Sequence, residues 1–122
     1  MASPQRLTRT ADLELVRREG KRVRTSLLEV RGLASLLHHH RIGIIVPRFK
    51  HSAVERNRLK RRLRELARRD WVGALEAVAP HDLVVRAAPA AYGADFDRLA
   101  TDMQRLREKF VREVGSTGPV AA

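Results

Sequence analysis

Apolar residues recur along this chain in two rhythms. At helical spacing stand Leu13 and Val16, then Leu59, Leu63, Leu66 and Ala67, and last Phe96, Leu99, Met103, Leu106 and Phe110. Each set marks one apolar stripe on a helix. The first helix is expected to take its cap from Thr10 or Asp12 and to end with Gly20 in the left-handed position past its last turn. Before the second, Ser52 and Glu55 stand in the S-x-x-E pattern of a capping box. Asp95 is expected to start the third. Runs rich in β-branched and aliphatic residues predict strands between these helices. Residues 23–33 read as one long strand or two short ones, 42–46 as a buried strand stopped by Pro47, and 83–87 as a third. Residues 36–41 read as a hairpin loop, although Leu36 and Leu37 would also lengthen a strand. Residues 71–79 either extend the second helix or break at Gly73, and 89–94 form a loop.

No internal repeat and no linker interrupts this order. An α+β fold follows, a single small sandwich of one mostly antiparallel sheet with helices. One domain is expected over 6–114, with flexible tails at 1–5 and 115–122.

Charge sharpens the picture. Lys and Arg number 25 against 14 Asp and Glu, a formal net charge of +11 over 122 residues. The excess concentrates in the second helix. At about 100° per residue, Asn57, Arg58, Lys60, Arg61, Arg64 and Arg68 turn away from its apolar stripe, and Arg56 falls near the edge. Between Arg56 and Arg69 only Glu65 is acidic. A soluble helix normally interleaves acids with bases to gain i,i+4 pairs. Cations this dense repel one another, and a polyanion relieves that repulsion. Nucleic acid is the expected partner. Aromatic residues are scarce, so stacking platforms for single strands are few. The chain has no cysteine, hence neither disulfides nor thiolate metal sites. Its first residues lack the apolar core of a signal peptide, and no apolar run approaches the roughly 20 residues of a membrane span. A cytoplasmic protein without membrane contact is expected.

Other groups invite chemistry and have plainer readings. His38, His39 and His40 suggest a metal site, but neighbours in an extended or loop segment point apart, which favours a solvated loop or contacts to an RNA backbone. Asp95, Asp97 and Asp102 suggest a nuclease metal centre, yet two of them sit where a helix N-terminus favours anions. Trp71 either stacks on RNA or plugs the end of a small core. No HExxH, paired-Asp motif or Gly-rich phosphate loop is present. The chain reads as a non-catalytic nucleic-acid-binding protein. A ribosomal or other structural RNA-binding protein is the alternative. A DNA-binding protein with the basic helix in a major groove is a third, weakened because no second helix stands a short turn away.

One family carries these residues in this order. Ala53-Val54-Glu55-Arg56-Asn57-Arg58-Leu59-Lys60-Arg61, preceded by Arg41-Ile42-Gly43-Ile44-Ile45-Val46, resembles the RNR signature of the bacterial ribonuclease P protein component. The likeness runs from Arg6-Leu7 through Gly20, the strands, the basic helix, Asp82-Leu83-Val84-Val85-Arg86-Ala87 and the last helix. The resemblance implies an α/β sandwich with a left-handed βαβ crossover. It implies binding to the catalytic RNA of ribonuclease P and to the 5′ leader of precursor tRNA, held between the sheet and the first helix. The RNA would carry the chemistry, hydrolysis of one phosphodiester using Mg2+ held through the RNA, with no protein metal motif. Carried over by position, Arg56, Asn57, Arg58, Lys60, Arg61 and Arg64 fall on the family's RNA-facing helix, and Arg68 and Arg48 extend that set. Leu13, Arg17 and Arg31 fall in the leader cleft at positions where the family usually shows aromatics. That departure implies backbone or planar guanidinium contacts in place of stacked bases.

Overall fold

The computed structural model describes residues 6–35, 37, 39–71 and 79–117, the last three by backbone alone. Helix α1 (Thr10–Glu19) leads into strands β1 (Lys21–Arg24), β2 (Leu28–Ala34) and β3 (Arg41–Ile45). Helix α2 (Ala53–Asp70), strand β4 (His81–Ala87), a 3-10 turn (Pro89–Gly93) and helix α3 (Phe96–Thr117) complete the order. The four strands form one sheet in the order β1-β2-β4-β3. β1 and β4 both run antiparallel to β2, while β3 runs parallel to β4 and reaches it through α2. The fold is α+β with a mixed, mostly antiparallel sheet.

Each face of the sheet carries its own apolar cluster. Leu28, Val30, Leu83 and Val85 point to the side covered by α2 and α3, where Leu59, Leu63, Leu66, Leu99, Met103, Leu106 and Phe110 meet them. Burying a side chain of this size stabilises the fold by about 1.5–3 kcal/mol. Trp71 is fully buried and lies 6.0 Å from the Phe110 ring, so it plugs the core and is withdrawn from any RNA surface. On the opposite face Leu7, Val16 and Val84 form a smaller cluster with Leu13, Leu33 and Ile45 around it. Helix α1 therefore covers only part of that face.

Several sequence expectations change here. Residues 36–41 do not close a hairpin, because β4 lies between β2 and β3. Of the two readings of residues 23–33, the structure has two strands, β1 and β2, divided at a turn. β3 is a half-buried edge strand beginning at Arg41, because no strand of its own length covers its outer side. Helix α1 has Arg9 at its N-cap with no side-chain cap bond, and Asp12 turns instead toward Arg41. Gly20 is extended (φ −76°) and not left-handed. Its glycine identity follows from packing: a Cβ there would stand 2.5 Å from the Val16 carbonyl oxygen. Residues 89–93 coil into the 3-10 turn, and α3 runs through Thr117, past the expected start of the tail. Residues 1–5, Leu36, His38, 118–122 and the interior of the ambiguous segment, 72–78, lie outside the described residues.

Candidate nucleic-acid interface

The basic helix is launched by a rigid turn. Phe49 and Lys50 both adopt positive φ, 46° and 74°, and the His51 amide donates to the Arg48 carbonyl at 2.7 Å. Left-handed non-glycine residues cost free energy and persist only where neighbours enforce them. Tyr92 supplies part of that enforcement. Its hydroxyl donates to the Pro47 carbonyl (2.8 Å), its ring stacks on His51 at 3.8 Å, and Phe49 meets its edge at 6.4 Å. Nothing in the local sequence linked Tyr92 to a turn more than 40 residues upstream; only the packing of the 3-10 turn against α2 reveals it.

The expected capping box closes on this turn. The Glu55 amide donates to Ser52 Oγ (3.1 Å) and the Ser52 amide donates to Glu55 Oε1 (3.0 Å). The backbone bond to Ser52, with His51 beside it, holds the Glu55 carboxyl below its ordinary value. Beyond the cap, Leu59, Leu63, Leu66 and Ala67 are buried as their spacing requires. Asn57, Arg58, Arg61, Arg64 and Arg68 are exposed, while Arg56 and Lys60 are half-buried. Arg56 Nη2 donates to Asn57 Oδ1 (3.3 Å), and Arg68 pairs with Glu65. Arg48 stands at the turn, its Nε donating to the His51 carbonyl at 3.2 Å.

A groove of about 490 Å³ runs between α2, the edge of β3 and the N-terminal segment. Lys60, Arg61, Arg64 and Arg68 form one wall, Arg6, Leu7 and Thr8 the other, and Leu13 with Gly43 closes the base. The N-terminal segment is held by the Leu7 amide, which donates to the Ile42 carbonyl at 3.0 Å. Gly43 makes this approach feasible, since a Cβ would fall 2.6 Å from the Leu7 carbonyl oxygen. Cations outnumber the one acid that lines the groove, Glu65, which pairs with Arg68. Burial, then Arg64, Arg56 and Arg6, lower the Lys60 pKa from its ordinary value, and burial with Arg6 lowers that of Arg64. An anion placed there offsets both effects.

Of the other cleft residues, Arg17 lies on α1 itself and Arg31 on β2 beneath it. Arg17 is exposed and pairs with the exposed Glu14 at 3.2 Å, a contact of little strength. Arg31 is more committed: its Nε donates to Glu29 (3.0 Å) and its Nη1 to the Arg17 carbonyl, tying β2 to α1. Leu13 thus joins the α2 cations at one groove, whereas Arg17 and Arg31 meet at the far end of α1.

Among the described residues, neither His39 and His40 nor the aspartates assemble a metal centre. His40 Nδ1 accepts from the His81 amide (3.0 Å), which ties the loop to β4. Asp95 caps α3, accepting from the Arg98 amide at 2.8 Å. Asp102 is buried and accepts from Thr25, Ser26 and the Leu27 amide. Among the described residues no three His, Cys, Asp or Glu converge on a point that holds a metal ion. No described helix is long and apolar enough to cross a membrane.

Known proteins share this arrangement. The family model for Ribonuclease P matches residues 1–111. The ribonuclease P protein component of Acidothermus cellulolyticus is 36% identical over 122 residues, covering 97% of this chain and 98% of that protein. Its counterpart from Syntrophobacter fumaroxidans is 41% identical over 88 residues, 71% of each chain. Among solved structures, the RNase P protein from Thermotoga maritima superposes with a TM-score of 0.73 at 28% identity, covering 84% of this chain and 96% of that one. The Staphylococcus aureus RNase P protein shares the fold, with a TM-score of 0.77 at 21% identity, covering 88% of this chain and 96% of that one. With its capped basic helix, its parallel β3–β4 pair and this match along nearly all its length, the chain belongs to the bacterial ribonuclease P protein component family.

Proposed function

We propose that this chain acts in a ribonuclease P holoenzyme by docking α2 on the catalytic RNA while the α1 face of the sheet holds the 5′ leader of precursor tRNA. The observation that carries this reading is the cationic groove of Lys60, Arg64 and Arg6, whose charges disfavour one another until an anion arrives. Arg56, Asn57, Arg58, Lys60, Arg61, Arg64, Arg68 and Arg48 meet phosphates and sugars of the catalytic RNA. Arg17, held only by an exposed ion pair, exchanges Glu14 for a leader phosphate. Arg31 keeps α1 seated on β2, and Leu13 lines the passage between the two RNA sites. Mg2+ is held through the RNA. The protein's part is affinity and placement, which turn a loose encounter into an aligned one.

Reconstitution with a bacterial ribonuclease P RNA tests the reading. Protein and RNA together at low magnesium should release mature tRNA 5′ ends, and the protein alone should not. Each phosphate neutralised adds about 0.7–0.9 to the log–log salt slope of RNA binding. Arg58→Ala and Arg61→Ala should each lower that slope by about one contact without unfolding the domain. A flat slope, or one unchanged in both variants, removes α2 from the RNA face.

A further inference from the structure

A second cationic surface lies on the opposite flank and is used by none of the contacts above. Arg105, Lys109 and Arg112 follow one another at spacings of four and three residues, and all three are exposed along one stripe of α3. Lys109 Nζ donates to the Arg24 carbonyl at 2.7 Å, which clips that stripe to the end of β1. Arg22, Arg24, Lys109 and Arg112 line one open groove of about 500 Å³. Arg22 and Arg24 are in turn the cross-strand neighbours of Arg31 and Glu29. Basic surface therefore continues from the sheet face under α1, around the β1 edge, and onto α3.

Two plainer readings account for part of this. Edge strands carry charge to discourage pairing with other chains, which explains Arg22 and Arg24 but not the α3 stripe. Acids interleaved with bases would make the stripe an ordinary solvated helix face. Glu108 leans toward Arg107 (3.9 Å), and Glu29 serves Arg22 (3.8 Å) and Arg31 (3.0 Å). Among the described residues no carboxylate stands within 4.0 Å of the guanidinium nitrogens of Arg24, Arg105 or Arg112. Arg24 and Arg112 thus face the β1–α3 groove, which Glu113 also lines, and Arg105 faces the adjoining one beside Glu108.

We propose that the β1–α3 flank is a second RNA-phosphate surface, taking the stretch of precursor leader that lies upstream of the nucleotides in the cleft. The inference rests on the leader reading above. Continuity of the surface favours the leader over the catalytic RNA: α2 packs on α3 as well as β3, but Arg22 and Arg24 are paired across the strands with Arg31 and Glu29 on the face beneath α1. A strand leaving the cleft past Arg31 meets this flank by way of β1. No aromatic ring lines the β1–α3 groove, so the contact is with the backbone and indifferent to base identity.

The test uses the reconstituted holoenzyme and two precursors, one with a leader ending in the cleft and one about ten nucleotides longer, at least roughly 30 Å of added strand. Arg105→Gln combined with Arg112→Gln spares Lys109 and its clip to β1. This variant should lose about three- to tenfold in affinity for the long-leader precursor and lower its salt slope by about 1.4, or two single-strand contacts. Short-leader affinity and binding to the catalytic RNA should stay unchanged, and Arg105→Lys with Arg112→Lys should restore most of the loss. Unchanged long-leader affinity overturns the proposal. An equal loss with both precursors, or weaker binding of the catalytic RNA, also overturns it by assigning the flank to other RNA. If the wild-type holoenzyme shows no dependence on leader length at all, the leader reading itself fails, and the two failures are distinguishable.

Discussion

Arg41 and Asp82 face each other across the parallel β3–β4 pair and bond twice, Nε to Oδ1 at 2.8 Å and Nη2 to Oδ2 at 2.7 Å. Nη1 of the same guanidinium reaches Asp12 on α1 at 3.4 Å. The paired hydrogen bonds to Asp82 raise the Arg41 pKa, and both side chains are mostly withdrawn from water. One arginine thereby joins two strands and the helix over them. Removing it leaves Asp82 without its planar partner. Arg41→Met should cost about 2–3 kcal/mol in urea unfolding and loosen α1, with Asp82→Asn costing less. Equal stability of Arg41→Met and wild type would show that water replaces the pair at no loss.

Asp102 performs a similar service for α3. Its carboxylate accepts from two hydroxyls and the Leu27 amide of the β1–β2 turn while buried in the helix interface. Asp102→Ala would strand those donors, and we expect about 2–3 kcal/mol of destabilisation by thermal or denaturant melting. Asp97→Ala, at an exposed position in the first turn of α3, should cost well under 1 kcal/mol. A reversed order would give Asp97, not Asp102, the structural role.

The start of α2 should weaken in acid. The Glu55 carboxyl is held below its ordinary value chiefly by the Ser52 amide. A depressed folded pKa contributes stability that is present above the unfolded value and lost as pH falls through the folded one. Amide protection over the first turn of α2 should therefore fall below the usual carboxylate range, while Glu55→Gln, which keeps the reciprocal bond, should flatten that dependence. Proton exchange by NMR from neutral to acid pH measures both.

Lys60 runs the other way. Burial and neighbouring cations lower its pKa, so its charge works against the folded state in the free protein. That opposition is present below the folded value and disappears as pH rises toward the unfolded one. Lys60→Met should leave the melting temperature of the free protein equal or higher, yet weaken binding to the catalytic RNA. A lower melting temperature together with unchanged RNA binding would make Lys60 a structural residue.

Legibility followed sequence distance. The capping box of Ser52 and Glu55 joins residues three apart, and the stripe from Leu59 to Ala67 repeats within one helix, so both stood in the sequence as they stand in the fold. The cationic character of α2 needed only wheel geometry. What escaped depends on remote partners. His51 gives no sign that Tyr92 will lie on it, nor does Asp102 announce the turn it supports. Gly20 resembles a left-handed helix stop until the close approach to Val16 explains it. The hairpin expected at 36–41 failed because adjacency in sequence says nothing about a strand inserted later. The bonds of Arg31 to Glu29 and the Arg17 carbonyl emerge only when α1 is seated.

That late insertion governs how the protein comes into being. β4 bonds to β2 on one side and β3 on the other, yet the ribosome makes it after both and after α2. At ordinary synthesis rates of about 5–20 residues per second, α2 emerges about a second before the strand that will seat it. Throughout that interval β2 and β3 have no native strand partner between them, and the basic helix has no finished sheet to cover. A chain broken off before His81 leaves no smaller native domain behind. It leaves a cationic segment with an uncovered apolar stripe, suited to degradation and not to assembly.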